Sequence, residues 1–194
     1  EIWNSLRTAD LIAERDVEQL FDPVAGTFSV TSMIDADGTG HVRRPFTATG
    51  SYTFPVGETT SNTTYSPVTV NVTSGTFSNA YVSVNVTDAT HPNNYATDNY
   101  LTRYWGVTQT GITNAVATIT GTYVTGDAVG GESALIAAQL NGTFNAVTNP
   151  WIRFSTLGSN TLTASGATLT AGQTSYFTGI KGSAIAVEIT GGGS

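Results

Sequence analysis

Few side chains in this sequence could carry catalysis. The chain has two histidines, His41 and His91, and no cysteine. His41 lies in an alternating run that predicts an exposed strand position, and His91 lies among Pro92, Asn93 and Asn94, which favour a turn. No Gly-x-Ser-x-Gly motif accompanies either histidine, so a Ser-His-Asp triad is not predicted. The absence of cysteine excludes thiol catalysis, disulfides and zinc–thiolate sites.

The acidic residues after position 25 form no catalytic pair that is visible in the sequence. They fall mostly in predicted loops, where solvated carboxylates are common: Asp35, Asp37, Glu58, Asp88, Asp98, Asp127, Glu132 and Glu188. Glycoside hydrolysis needs two carboxyl groups that face each other across a cleft, and no spacing here pairs any two of them. We therefore expect no enzymatic activity and no catalytic residue.

One acidic segment has part of the composition of a calcium-binding loop. Asp35 and Asp37 precede Gly38 and Gly40, a fragment of an EF-hand-like spacing. The third oxygen ligand and the terminal Glu are missing, since His41 follows directly. A hairpin turn, in which Asp-Gly supplies a positive φ, explains the same residues. Asp35 and Asp37 are thus weak calcium candidates, and no other cofactor is expected.

Charge and composition exclude several classes of partner. The formal net charge is −7, with one lysine, Lys181. The basic doublet Arg43-Arg44 lies in a strand pattern that points its two side chains to opposite faces, so binding to nucleic acid or to an anionic membrane is not expected. No apolar run is long enough to cross a bilayer. Charged residues make up 11% of the chain and threonine contributes 35 residues, so solubility is expected to rest on glycans or on burial in an assembly.

The chain from residue 26 onward predicts strands. Short alternating runs are separated by Gly and Pro, which is typical of an antiparallel sandwich. Ser133–Leu140 is rich in Ala and Leu, which favour helix, but glycines on both sides favour a strand. The predicted strands are Thr27–Ile34, His41–Thr47, Ser51–Val56, Val68–Val72, Ala80–Val86, Leu101–Thr108, Ala115–Val124, Ser133–Leu140, Trp151–Phe154, Thr161–Ala164, Thr174–Phe177 and Ala184–Ile189. We expect one all-β domain over residues 26–194, an antiparallel β-sandwich of jelly-roll or Ig-like Greek-key type.

Residues 1–25 differ from the rest and are predicted to form an N-terminal arm. Apolar residues recur there at the helical spacing of three and four, and Pro23 and Gly26 end the pattern. The segment can be an amphipathic helix that caps its own domain, or an arm that docks on a neighbouring subunit as a strand or a helix. Its predicted apolar contact residues are Ile2, Trp3, Leu6, Val17, Leu20 and Phe21.

Two phrases in the middle of the chain carry a resemblance. They are Phe54-Pro55-Val56-Gly57 and Arg103-Tyr104-Trp105, with Tyr65-Ser-Pro67-Val68 and Asp88-Ala-Thr-His91-Pro92-Asn93 between them. In this order the phrases resemble a β-rich module of secreted and cell-surface, adhesin-like proteins of Bacteroidota-type bacteria. The resemblance covers about residues 40–125. It implies an exported structural or adhesive protein, in which the tryptophan of the Arg-Tyr-Trp phrase belongs to the core.

These observations predict an extracellular structural subunit. We expect it to self-assemble with copies of itself into a surface filament or sheath through its N-terminal arm, because a head-to-tail contact does not close on itself. The alternative is a monomeric cell-surface adhesin or carbohydrate-binding domain. Tyr100, Tyr104 and Trp105 lie together in the sequence while Trp3 and Trp151 stand apart, and a sugar site would use exposed members of this aromatic set.

Overall fold

Strands form almost all of the regular structure in the computed structural model, which describes residues 33–37, 39–59 and 63–182 and the backbone of residues 17–18. The strands are β1 (Val17–Glu18), β2 (Ile34–Asp35), β3 (Val42–Pro45), β4 (Gly50–Phe54), β5 (Val56–Glu58), β6 (Thr64–Tyr65), β7 (Val68–Thr87), β8 (Tyr100–Leu101), β9 (Tyr104–Thr122), β10 (Ala128–Val129), β11 (Leu135–Asn141), β12 (Ile152–Thr156), β13 (Thr161–Leu169) and β14 (Thr174–Lys181). Two short 3₁₀ turns lie at Thr125–Asp127 and Glu132–Ala134.

A long bent hairpin, β7 with β9, organises the fold. The two strands have 20 and 19 residues and pair antiparallel, from Val68 opposite Gly121 to Thr87 opposite Tyr104. The second half of β7 pairs with β3, and the first half of β9 pairs with β14, which leads on to β11 and β12. The first half of β7 pairs with β4, and the second half of β9 pairs with β13. The hairpin therefore contributes to both layers of a sandwich.

The core lies between these two layers. Alternate residues of β7 point inward, so Val70, Val72, Val82 and Val84 are buried while neighbours such as Asn71 are partly exposed. β13 packs across β11 and β12, and Phe177 and Leu162 are fully buried from the two sides. Alternation of β-branched apolar and small polar residues thus produces one packed face and one wetter face in each layer.

The bend of the hairpin depends on special backbone positions. Gly111 has φ +76°, and a Cβ at this position would lie 2.2 Å from the carbonyl oxygen of Ser78. The side chain of Gln109, which is 1% exposed, stabilises the bend through hydrogen bonds in the core. Its Oε1 accepts from Ile112 N–H at 3.0 Å, and its Nε2 donates to the carbonyls of Ile112 and Leu169, both at 2.9 Å. One side chain thus joins the bend to the end of β13.

The predicted fold class, an all-β sandwich of antiparallel sheets, is confirmed. The segment predicted as a strand at Ser133–Leu140 is mostly one, β11 (Leu135–Asn141), although Ser133 and Ala134 belong to a 3₁₀ turn. Two other predictions give the wrong strand bounds. The predicted strands Val68–Val72 and Ala80–Val86 are one continuous strand, β7. The predicted strand Ala115–Val124 is the second half of β9, which begins at Tyr104. Between these predicted strands, glycines and a loss of alternation suggest turns. The backbone nevertheless stays paired there, because the β7–β9 register shifts instead of ending.

Two short strand pairs are parallel in the part of the chain that the structure describes. β2 pairs with β5, with Ile34 opposite Val56, and β1 pairs with β3. Most of the predicted strand 27–34 and all of 184–189 lie outside the described residues. Across the part of the chain that the structure describes, no helix has the length and apolar character to span a membrane.

Candidate assembly surface

The edge of the larger layer beside β3 is where the N-terminal region meets the sandwich. β1 lies parallel to β3, with Val17 opposite Val42 and Glu18 opposite Arg43. Parallel addition of an extended segment to a sheet edge uses main-chain hydrogen bonds and depends little on the identity of the side chains. At these two positions the region predicted as an arm, helical or extended, is a strand.

Val17 is the one predicted arm contact whose backbone is described. Ile2, Trp3, Leu6, Leu20 and Phe21 lie outside the described residues, and so does the side chain of Val17. The assignment of these six residues to a subunit interface therefore remains a prediction.

A groove lies next to this edge, where β3 ends and β7 bends. It has a volume of about 450 Å³, and Pro45, Phe46, Phe77, Ala80 and Tyr81 are among the residues that line it. Thr47 and Asn79 also line it, so its walls combine apolar and polar groups. The guanidinium of Arg43, also in the lining, lies over the Tyr81 ring at 4.1 Å from its centroid.

The opposite edge of the same layer carries an exposed apolar tip, formed by residues 143–149 between β11 and β12. Val147 at its end is 88% exposed. Asn145 Oδ1 accepts from the backbone N–H groups of Val147 and Thr148, both at 2.9 Å. Asn149 Nδ2 donates to the carbonyls of Asn141 and Thr143, at 2.6 and 2.7 Å. The tip is thus a well-bonded turn that holds a valine in solvent, and the sequence analysis missed it.

The two calcium candidates are close together, but both carboxyl oxygens of Asp35 already accept hydrogen bonds from protein groups. Asp35 Oδ1 accepts from Asp37 N–H at 3.5 Å, and Asp35 Oδ2 accepts from the Thr59 hydroxyl. Burial and the neighbouring Asp37 raise the pKa of Asp35. Among the described residues, no three His, Asp or Glu side chains are arranged to hold a metal ion. Calcium at Asp35 and Asp37 remains an untested prediction.

The description of the acidic residues as solvated loop carboxylates is wrong for two of them. Glu58 is 1% exposed and Asp127 is 6% exposed. Asp127 and Asp88 form ion pairs with the fully buried Arg103, and Glu58 joins them through the Thr64 hydroxyl. Arg103 Nε donates to Asp127 Oδ2 at 2.7 Å, and Nη2 donates to Asp88 Oδ1 at 2.9 Å and to the Thr64 hydroxyl at 3.1 Å. These carboxyl groups are buried because positions far apart in the chain meet where β5, β7 and β9 come together.

This cluster holds more carboxyl groups than its one guanidinium can neutralise. Glu58 accepts from the Thr64 hydroxyl at 2.8 Å, and its carboxyl group is one of the neighbours that raise the pKa of Asp88. Burial raises the pKa of Asp88, while Arg103 acts against that rise. Because the guanidinium occupies the centre of the group, the arrangement is that of an ion-pair network that ties strands together.

The loop after β7 is structural, and His91 is its centre. The imidazole is 5% exposed and contacts the rings of Tyr104, Trp151 and Tyr176 at centroid distances of 4.9, 5.1 and 4.9 Å. Its Nδ1 accepts from Asn93 N–H at 3.2 Å. Burial lowers the pKa of His91 to about 4, so the ring is neutral near pH 7. Trp151, which stands apart in the sequence, thus joins Tyr104 through this histidine.

The Arg-Tyr-Trp phrase divides between the two faces of β9. Trp105 is fully buried, as expected of a core residue, while Tyr104 is half-buried on the outer face beside His91. Tyr95, which the sequence analysis did not single out, is 73% exposed. Its hydroxyl accepts from Asn93 Nδ2 at 3.3 Å, and its ring meets Phe144 edge-on.

Comparison with known proteins adds one short similarity. The chain is 68% identical to a methionine–tRNA ligase of Rhodopirellula baltica over 28 residues, which are 14% of this chain and 4% of that protein. No family model matches the chain. No solved structure matches it either.

Proposed function

We propose that this chain is an extracellular structural subunit that assembles with copies of itself into a surface filament or sheath. The observation that carries the proposal is the pairing of Val17–Glu18 with the β3 edge. An element that adds to the edge of its own sheet can add to the same edge of a neighbour at little cost, because the contacts are identical. The low charge content and the resemblance to an exported module support the extracellular location.

The mechanism is an exchange of arms. The arm of one copy leaves its own β3 and pairs with β3 of the next copy, in the register Val17 opposite Val42. Each copy gives one arm and receives one, so the contact is heterologous and propagates if the rotation between copies does not close a ring. The apolar arm residues Leu20 and Phe21 are the proposed anchors that follow the paired segment.

Mixing two single-cysteine variants tests the exchange, because the chain has no cysteine of its own. Val17→Cys and Val42→Cys place thiols at facing positions, where the separation of neighbouring strands suits a disulfide. We expect a disulfide-linked dimer on non-reducing gels when the two variants are mixed and oxidised. Val17→Cys mixed with Ser165→Cys, an exposed position on β13, is the matched control and should form far less dimer.

The double variant separates the two arrangements. If the Val17→Cys/Val42→Cys chain closes its disulfide within one molecule while the mixture gives no dimer, the arm stays on its own domain and the proposal is wrong. Negative-stain microscopy of the protein with and without residues 1–25 gives a second reading, and filaments should be lost with the arm.

A monomeric adhesin that binds carbohydrate is the second candidate, and the Tyr95 ring favours it. A tyrosine that is 73% exposed with an asparagine amide on its hydroxyl offers a stacking face and a polar contact. Binding on a glycan array that is lost in Tyr95→Ala would support this function. A protein that binds no glycan on the array, or binds equally with alanine at position 95, would exclude Tyr95 as the sugar platform.

A further inference from the structure

We propose that the groove beside β3 receives the side chain of Leu20, an apolar residue of the arm just after β1. The inference rests on the proposed role of residues 1–25 as a docking arm and names the site that holds it, whichever copy supplies the arm. The groove has a volume of about 450 Å³ and lies where β3 ends. Because β1 occupies the adjoining edge and runs parallel to β3, the residues that follow β1 lead toward the groove.

The parallel register brings Leu20 to the groove lining. Glu18 lies opposite Arg43. Parallel strands run in the same direction with nearly the same rise per residue. Two more residues of the same pairing therefore bring Leu20 opposite Pro45, which lines the groove.

The pleat of the sheet decides which arm side chain enters the groove. Residues two apart in a strand share a face, so Arg43 and Pro45 lie on one face, and both line the groove together with Tyr81. Facing residues of neighbouring strands point to the same side of a sheet, which places position 20 on the groove face and positions 19 and 21 on the other. Position 20 is a leucine, so the side chain on the groove face is apolar.

The mixed lining of the groove suits a polypeptide segment better than a wholly apolar ligand. Phe77 and Tyr81 offer apolar contact to a leucine side chain, whose burial is favourable. Thr47 and Asn79 offer hydrogen-bonding groups. The main chain beyond residue 20 needs such groups wherever it no longer pairs with a strand.

Charge favours the same placement. Residues 16–22 contain three acidic side chains and no basic one, whereas β3 contains two arginines and no acidic residue. The chain as a whole has a formal net charge of −7. An acidic segment is therefore attracted to the β3 edge and repelled by most of the remaining surface.

A disulfide between positions 20 and 45 tests the placement on the full chain. Leu20→Cys/Pro45→Cys puts two thiols at facing positions of the extended register, and the chain has no cysteine of its own. We expect this disulfide to form at least about tenfold faster than in Leu20→Cys/Ser165→Cys, because thiols held at facing positions have a high effective concentration. Ser165 is the matched control, since it is exposed on β13 and does not line the groove.

A second measurement needs no change in the groove. In wild-type protein with labelled methyl groups, the Leu20 methyls should show nuclear Overhauser contacts to the rings of Phe77 and Tyr81, with Leu20→Ala used to assign the signals. This experiment decides the question if circular dichroism shows that the double-cysteine variant does not fold. Leu20 methyls without contact to either ring would then overturn the inference.

The outcomes separate the groove site from arm exchange. A 20–45 disulfide within one chain supports the groove site, and arm exchange is wrong if the mixed Val17→Cys and Val42→Cys variants also give no dimer. A 20–45 disulfide between chains supports both proposals. If the 20–45 disulfide forms no faster than the Ser165 control in a folded protein, the groove does not receive Leu20. A Val17–Val42 link between chains would in that case leave arm exchange standing.

Discussion

Trp105 lies against Gly121 across the core, although both belong to β9. A Cβ on Gly121 would lie 2.8 Å from two carbons of the indole, so the ring uses the space that the glycine leaves. The indole Nε1 also donates to the carbonyl of Ser66 at 2.9 Å, and Trp105 is fully buried. The bend of β9 thus brings its own two halves together through the largest side chain in the core.

Gly121→Ala is expected to destabilise the protein by about 1–3 kcal/mol, because the added methyl must displace a packed ring. Urea unfolding followed by tryptophan fluorescence measures the change. Gly126→Ala is the matched control, since a Cβ at that position meets nothing within 4 Å. Equal unfolding midpoints for the two variants would show that the ring can shift without cost.

Local pattern predicted the layers of this fold but not its long-range contacts. Alternation identified the buried face of Val68-Val70-Val72 and required one of Tyr104 and Trp105 to face the core, and the resemblance of the Arg-Tyr-Trp phrase implied that this is the tryptophan. The continuity of β7 was not predictable, because a bent strand and two strands with a turn have similar composition around Gly75.

The acidic cluster was not predictable for a different reason. Nothing local connects Glu58, Asp88 and Asp127, and their meeting at Arg103 follows from the strand pairing alone. The tip left a weak signal: Val147 is an apolar residue between two asparagines in a turn segment, where a polar residue is usual.

Arg103→Met is expected to be strongly destabilising, by about 3–5 kcal/mol near pH 7. The change leaves three buried or half-buried carboxyl groups without a counter-charge, whereas the methionine fills similar space. The loss should shrink as the pH is lowered and Asp88, whose pKa is raised by burial, takes up a proton. Chemical denaturation at two pH values measures this. Arg153→Met, at an exposed position on β12, is the control and should change stability by about 0.5 kcal/mol or less.

His91 should make stability fall as the medium becomes acidic. Its pKa is lowered by burial to about 4 in the folded chain and is near 6.5 when unfolded. Between these values the unfolded chain takes up a proton that the folded chain does not, so stability is full above pH 6.5 and is lost toward pH 4. The effect is about 1–2 kcal/mol after allowance for solvent screening.

Comparison with His91→Phe isolates this effect. Phenylalanine keeps a ring among Tyr104, Trp151 and Tyr176 but does not titrate, and the titration of Asp35 and Asp88 is common to both proteins. As the pH falls from 6.5 to 4, the unfolding free energy of the wild type should decrease by more than that of the variant. The variant should therefore gain stability relative to the wild type. An NMR titration that places the imidazole pKa near its ordinary value would contradict the burial argument.

Gln109→Met is expected to loosen the bend of the central hairpin. Methionine has a similar size but leaves Ile112 N–H and two carbonyls without the bonds that Gln109 makes. Unsatisfied buried groups of this kind cost about 1–3 kcal/mol each, with partial relief if water enters. Hydrogen exchange should show faster exchange at the Ile112 amide, while the Val107 amide, in the β9–β14 pairing, stays protected. Gln173→Met, at an exposed turn, should leave both amides unchanged. Equal protection of Ile112 in both variants would mean that the main chain holds the bend without the glutamine.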